Sequence, residues 1–253
     1  MKSFLFLAFF LSSSIPLEAS QVQAPATKTF TIGIESIDYY PHQITNEKGE
    51  ISGFTRELLD TFAKNKGIKF VYTPLPVKRL FISFLANQVD FKYPDNAYWQ
   101  SELKQGKEVV YSNSVVDYID GVMVKKENSD LRKLKTLAIM RGFTPLQYLV
   151  QIKKKELSFI ESDEHKSLFL LVTSGRAEGC YFDIVVAQYQ LKKMGMSGQL
   201  VFNSNLPYTK SSYSLSTINH PEIINDLNQF LVEQKKLVDE LKKKYGVVLP
   251  ANL

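Results

Sequence analysis

Between residues 29 and 91 the chain switches repeatedly between two hydrophobic periods, and this switching limits its fold more than any other feature. TFTIGIES (29–36) alternates apolar and polar residues, the period of a strand. GFTRELLDTFAKNKG then sets Phe54, Leu58, Leu59 and Phe62 on one helical face and places Gly67 where a helix stops. IKFVYTPL (68–75) is rich in β-branched and aromatic residues. Pro76 opens a second helix carrying Val77, Leu80, Phe81, Phe84 and Leu85 toward a core. Val89-Asp90-Phe91 reads as the end of a third, buried strand. A β-α-β-α-β order predicts a parallel sheet with helices on its faces, hence an α/β fold.

EVVYSNSVVDYIDGVMVKK (108–126) has no helical period and reads as an extended passage between two units. A second alternation follows. TLAIM (136–140), LSFI (157–160), GCYF (179–182) and QLVFN (199–203) are strands, with helices expected from Pro145 to about Lys154, over 164–174 and from Ile184 to about Met194. SYSLST (212–217) is extended again, and PEIINDLNQFLVEQKKLVDELKKKYG reads as one closing helix whose late basic residues suit its negative dipole end.

Lys2, the apolar run SFLFLAFFL and the small residues of SSSIPLEAS make residues 1–19 a secretory signal peptide, with cleavage expected after Ala19. That predicts an exported protein. Cys180 is the only cysteine, so no intrachain disulfide is expected, and no cysteine follows the leader to carry a lipid anchor. Flanked by Gly179 and Tyr181, Cys180 reads as a small buried side chain. The +5 net charge is dispersed. Its two lysine runs, 153–155 and 242–244, fall in helix-like stretches as solvated faces, so nucleic acid is not an expected partner. His42, His165 and His220 lie in separate segments without metal-ligand spacing, and neither a metal nor a cofactor is expected.

In parallel sheets, ligands collect beyond the carboxyl ends of strands. Glu35 to Tyr40 follows the first strand, Pro94 to Trp99 the third, Arg141 to Thr144 follows TLAIM, and Asp183 follows GCYF. A cleft between two lobes is the simplest way to bring these spots together. Tyr39, Tyr40 and Trp99 offer flat faces to a ring or cation, while Asp95 and Asn96 offer hydrogen bonds. Trp99 reads equally as a plug at the edge of a core, and Asp183 equally as a helix N-cap. Arg79 and Phe143 are second-rank candidates, Arg79 because its helix position suits solvent as well as the cleft.

The order of Tyr39-Tyr40-Pro41, GEISGFTRELLDTFAKNKGIKFVYTPLPVKRLF, ANQVDF, VVYSNSVVDYIDGVMV, MRGFT, SGRAEGCYFDIVVAQYQ and SSYSLSTINHPEIINDLNQFL resembles the periplasmic solute-binding proteins of family 3, the amino-acid-binding type. The resemblance covers nearly all of the chain after the leader. It implies a two-lobed type II periplasmic binding protein: lobe 1 over 28–115, lobe 2 over 116–207, and a return to lobe 1 over 208–253, with two crossing strands as the hinge. It also implies closure upon a small polar ligand, an amino acid or related metabolite, and delivery by a monomer to an inner-membrane ABC permease or a membrane receptor.

In that family the turn after the third strand carries an arginine that clamps a ligand carboxylate, because a guanidinium fork matches a carboxylate's two oxygens. DNAYWQSELKQGK stands there instead, with no arginine between Arg79 and Arg132. Lys104 and Lys107 are near, but each is a point charge. Asp183 falls where the family places the carboxylate that receives a ligand ammonium. Arg141, Gly142 and Thr144 fall where a Gly-Thr pair ordinarily cradles the ligand, which makes Arg141 a candidate clamp from the opposite lobe. Two other classes stay open. The same fold serves periplasmic cyclohexadienyl dehydratases, in which Glu35, Asp95 or Asp183 would be cast as an acid. The lobes also suit a sensor or scaffold that has lost small-molecule binding.

Overall fold

Helices flank both faces of the first half of the sheet, so the alternation expected of the first strand is replaced by burial on either side. The computed structural model describes residues 27–249; the expected leader lies outside the described residues. Strand β1 (Thr29–Glu35) is buried at five of its seven positions, with α1 (Phe54–Lys66) and α2 (Val77–Leu85) packed around it and around β4 (Lys69–Leu75). Between β1 and α1 lies a small hairpin, β2 (Ile44–Thr45) and β3 (Ile51–Ser52). Phe54, Leu58, Leu59 and Phe62 are fully buried as their spacing requires, each worth roughly 2 kcal/mol against exposure. Gly67 ends α1 in the left-handed conformation, donating its N–H to the last turn. Gly33 lets α2 approach closely, since a Cβ there would stand 2.4 Å from Leu80 Cδ1.

β1 pairs in parallel with β4 on one side and with β5 (Phe91–Asp95) on the other. The third strand therefore begins at Phe91, where the sequence suggested that it ended, and Pro94 and Asp95 belong to it. The register explains the shift. Phe91, Lys92 and Tyr93 oppose Ile32, Gly33 and Ile34, while Asp95 and Lys92 meet Ser214 and Ser216 on the far side. A strand of this composition survives burial because its charged groups satisfy one another.

β6 (Val110–Tyr111) is short, and β7 (Val116–Lys125) then crosses to the second half of the molecule. A 3-10 turn over Lys126–Asn128 leads to β8 (Thr136–Met140). The helix expected from Pro145 is instead a 3-10 turn over Leu146–Tyr148 followed by the short α3 (Leu149–Lys153). Tyr148 is buried there and donates its hydroxyl to Pro207 O at 2.8 Å, a tether that displaces regular helix geometry. β9 (Ser158–Ser162), α4 (His165–Thr173), β10 (Gly179–Asp183), α5 (Ile184–Lys193) and β11 (Leu200–Phe202) follow as the second alternation predicts.

β12 (Thr209–Thr217) crosses back. Its first half pairs antiparallel with β7 and its second half with β5 and β6. One curled sheet thus runs β4-β1-β5-β12-β7-β10-β8-β9, parallel within each end and antiparallel at its centre. The two ends are the sheets of two lobes, and β7 and β12 are the strands that join them. The closing helix is broken at Gln234 into α6 (Pro221–Glu233) and α7 (Lys235–Tyr245). The break lets Leu227 and Phe230 of α6, and Val238 and Leu241 of α7, all reach the first lobe, where α7 lies on α1.

Candidate functional site

A recess lies where the two lobes meet, with the crossing strands at its back. The first lobe contributes Glu35 from the end of β1, Tyr39, Val77 and Phe81 from the α2 region, Pro94 and Trp99. Asp120 and Tyr213 come from the crossing strands, and Gly142, Phe143, Thr144 and Tyr181 from the second lobe. Its space between atoms, mouth included, is about 410 Å³.

Aromatic rings form most of the wall. Tyr118 of β7 and Tyr213 of β12 stack with centroids 4.3 Å apart and planes 13° apart, and Trp99 leans on both at 5.9 and 5.8 Å. The tryptophan is thereby both a core plug and a recess wall, the two readings its sequence allowed. Tyr39 packs edge-on against Phe143 and Phe182 of the opposite lobe. Its hydroxyl lies 3.3 Å from that of Tyr213, which in turn donates to Asp183 Oδ2 at 3.1 Å.

The recess is acidic. Burial pushes Glu35 up from its ordinary 4.5 to about 7; the charge of Lys92 opposes that shift and that of Asp95 adds to it. Asp120 is raised well above the ordinary carboxylate range by burial and then by the neighbouring charges of Asp183 and Glu35. Its Oδ1 has no hydrogen-bond partner among the described residues. Asp183 is raised to about 6 by burial, against the opposing bonds from Val186 N, Tyr213 and Val185 N. His42 stands 3.8 Å from Asp183 but is no ion-pair partner, because burial pulls it down to about 3 and leaves it neutral.

Of the residues singled out in the sequence, Glu35, Tyr39, Trp99, Gly142, Phe143 and Thr144 meet in this recess. The others stand elsewhere. Asp183 is the N-cap of α5, accepting from Val185 N and Val186 N, and stands behind Tyr213 instead of lining the space. Asp95 is fully buried in an ionic cluster, receiving Lys92 at 3.1 Å, Lys104 at 3.0 Å and the Ser216 hydroxyl at 2.7 Å. Asn96 ties β5 to β12 through Ser211 and Ser212. Tyr40 packs at a tilt against Tyr189 of α5, ring centroids 4.5 Å apart, outside the lining. Arg79 is exposed on α2. Arg141 does not line this recess. It is 47% exposed, and its guanidinium is engaged by Asp163 at 2.6 Å and Glu161 at 2.8 Å at the β9 edge. Those two acids hold it at a neighbouring opening between the lobes, lined also by Ser36, Pro76, Val77 and Phe143.

Sequence reasoning missed Asp120, Tyr181 and Tyr213. Asp120 left one trace: in YIDGVMV it is a carboxylate in mid-strand among apolar residues, where an acid demands a reason.

Several bonds join the lobes around the recess. Asp38 receives Lys193 at 2.7 Å and, through its carbonyl, Gln190 at 3.1 Å; Gln100 reaches Gly142 O at 3.4 Å and Lys78 reaches Glu161 at 3.5 Å. Two α/β lobes, two connecting strands and an enclosed recess between them define the type II periplasmic binding protein class. The profile of the bacterial extracellular solute-binding proteins, family 3, matches residues 30–248, and the chain belongs to that family. The arginine-binding periplasmic protein of Mannheimia haemolytica is 26% identical over 170 residues, 66% of this chain and 70% of its own. An ancestral arginine-binding protein bound to arginine superposes with a TM-score of 0.68 at 22% identity, over 86% of this chain and 97% of that one. A histidine kinase sensor domain with similarity to periplasmic binding proteins gives 0.72 at 15% identity, over 88% and 99%.

Proposed function

We propose that this protein is an exported, non-catalytic solute-binding protein that captures a small polar ligand, an amino acid or related metabolite, between its lobes. The recess carries this reading, since its wall is shared by both lobes and backed by the strands that connect them. A ligand touching both walls favours the closed arrangement in proportion to its extra contacts there. Residues 28–115 and 208–253 would move as one lobe and 116–207 as the other. The loaded monomer would then be delivered in the periplasm to an inner-membrane ABC permease or a membrane receptor.

The family membership and the arginine-binding relative support solute capture. The sensor-domain neighbour is consistent with a receptor as the alternative partner. Thermal-shift screening of the purified protein against a metabolite library is the test, because a ligand that binds only the folded form raises its midpoint. A positive compound should also reduce the radius of gyration in small-angle scattering. A well-folded protein that answers to no compound contradicts the proposal.

One observation favours a second reading. A buried carboxyl raised to about 7, as Glu35 is, suits an acid that gives up a proton near neutrality. On that reading the chain would be a cyclohexadienyl dehydratase-like enzyme, and incubation with prephenate, followed by its ultraviolet absorbance, separates the two.

A further inference from the structure

Lys92, Lys104 and Arg141 each have an anionic partner, while Glu35, Asp120 and Asp183 have no lysine or arginine partner among the described residues. Among the residues that line the space none is lysine, arginine or histidine, whereas Glu35 and Asp120 both face it. Lys92 lies beneath the Phe81 and Trp99 rings, 4.1 and 5.6 Å from their centroids, with its ammonium given to Asp95 and Pro94 O. Lys104 is bound to the same Asp95 and to Asn96 O. Arg141 is held outside by Glu161 and Asp163. Even with Lys92 and Lys104 counted, the four buried carboxylates Glu35, Asp95, Asp120 and Asp183 leave the neighbourhood with an excess of negative charge when ionised.

A ligand carboxylate placed here would find no lysine, arginine or histidine in the lining to neutralise it, so it could enter only while Asp120 and Glu35 keep their protons, and each acid that ionised would repel it. An organic cation meets the opposite conditions. Asp120 is 6% exposed, and its partnerless Oδ1 calls for an N–H donor. Tyr39, Trp99 and Tyr213 line the same space, and aromatic rings attract positive charge. A quaternary ammonium would satisfy the rings but not Asp120, since it has no N–H to give.

Building on the solute-capture reading above, we infer that the recess takes a compact organic cation with N–H donors and no carboxylate, an amine or guanidine in place of an α-amino acid. Asp120 is its principal anchor and Glu35 the second charge, so a diamine can present one cation to each. Binding draws both acids into their ionised forms, and the protons they held leave to solvent.

The test compares ligands that differ only by a carboxylate. Calorimetry of the purified full-length protein measures agmatine against arginine and putrescine against ornithine. Each amine should bind about ten-fold or more tightly than its amino acid, because an uncompensated buried charge is costly. Asp120→Asn should lose about ten-fold or more in amine affinity, the usual penalty for deleting a buried charge's partner, with its melting midpoint held or raised. Near pH 6 the measured heat should change with the buffer's ionisation enthalpy, the mark of proton release, and fewer protons should be released by Asp120→Asn than by the parent, a difference that a merely structural Asp120 would not produce. Glu35→Gln serves as the second variant, with a smaller loss.

Equal or tighter binding of arginine or ornithine overturns the inference, as does undiminished amine binding by Asp120→Asn. If the metabolite screen yields a neutral or acidic ligand while both amines fail, this ligand class is wrong and solute capture stands. If nothing binds at all, solute capture falls with it.

Discussion

Replacing Glu35 with glutamine isolates the energetic consequence of holding an acid in the recess. The carboxyl is 4% exposed, and its pKa rises from 4.5 to about 7 because burial disfavours its charge. The folded value lies above the unfolded one, so below pH 4.5 both states hold the proton and the group adds no pH dependence. Between 4.5 and 7 the folded state keeps a proton that the unfolded chain has released, and stability falls as pH rises. Above 7 the full penalty of a buried charge is present, about 3 kcal/mol from the size of the shift. Glutamine has the same shape and no charge, so the stability difference between Glu35→Gln and the parent should grow by about that amount from pH 4.5 to 8. For a chain of this size the corresponding change in relative melting midpoint is roughly 6–12 °C. Calorimetric melts of both proteins at pH 4.5, 6 and 8 measure it. His42, pulled down to about 3, and Asp183, raised to about 6, titrate in both proteins and cancel to first order in the difference, whereas Asp120, which the Glu35 charge helps to raise, is relieved in the variant and adds to it. A difference that stays flat across this window would refute the argument that Glu35 is held against its own ionisation.

Asp183→Ala should cost about 1–2 kcal/mol in urea unfolding by uncapping Val185 N and Val186 N, and Asp183→Asn should restore most of it. Equal losses in the two variants would remove the cap as the cause. Lys92→Met, which keeps bulk but leaves the fully buried Asp95 with Lys104 as its one remaining lysine, should destabilise by about 3 kcal/mol in the same assay. Gly142→Ala should weaken ligand binding more than it lowers the melting midpoint. Gly142 sits at φ 89°, and an added Cβ would stand 3.1 Å from Val77 and Lys78 of the opposite lobe, so it obstructs closure. Unchanged affinity by calorimetry would show that the lobes need not meet there.

The strands and helices of both lobes were largely readable in the sequence because period and capping are local signals. Phe54, Leu58, Leu59 and Phe62 define α1 whatever surrounds it, and Gly67 ends it by its own conformational freedom. Elements whose shape depends on distant partners were less legible. β5 runs through Lys92, Pro94 and Asp95 because Ser214 and Ser216, more than a hundred residues later, and Lys104 satisfy its polar groups. The closing helix breaks at Gln234 because two faces must reach one lobe.

The same division separates the site residues. Position after a strand end was enough to nominate Glu35, Tyr39, Trp99 and the Gly142–Thr144 turn, since chain direction alone carries such residues to one edge of a sheet. It could not tell Arg141 or Asp183 from true lining residues. Arg141 is claimed by two acids of its own lobe and Asp183 by the first turn of the next helix. Nor could it find Asp120, which enters the recess from the middle of a crossing strand.

By itself, then, the sequence determined the alternation of elements and the two-lobed class, because these rest on residue identity and local spacing. Only the tertiary structure decided which charges are neutralised and which face the recess. Ion pairing in a buried site depends on distances between segments that the chain brings together from far apart.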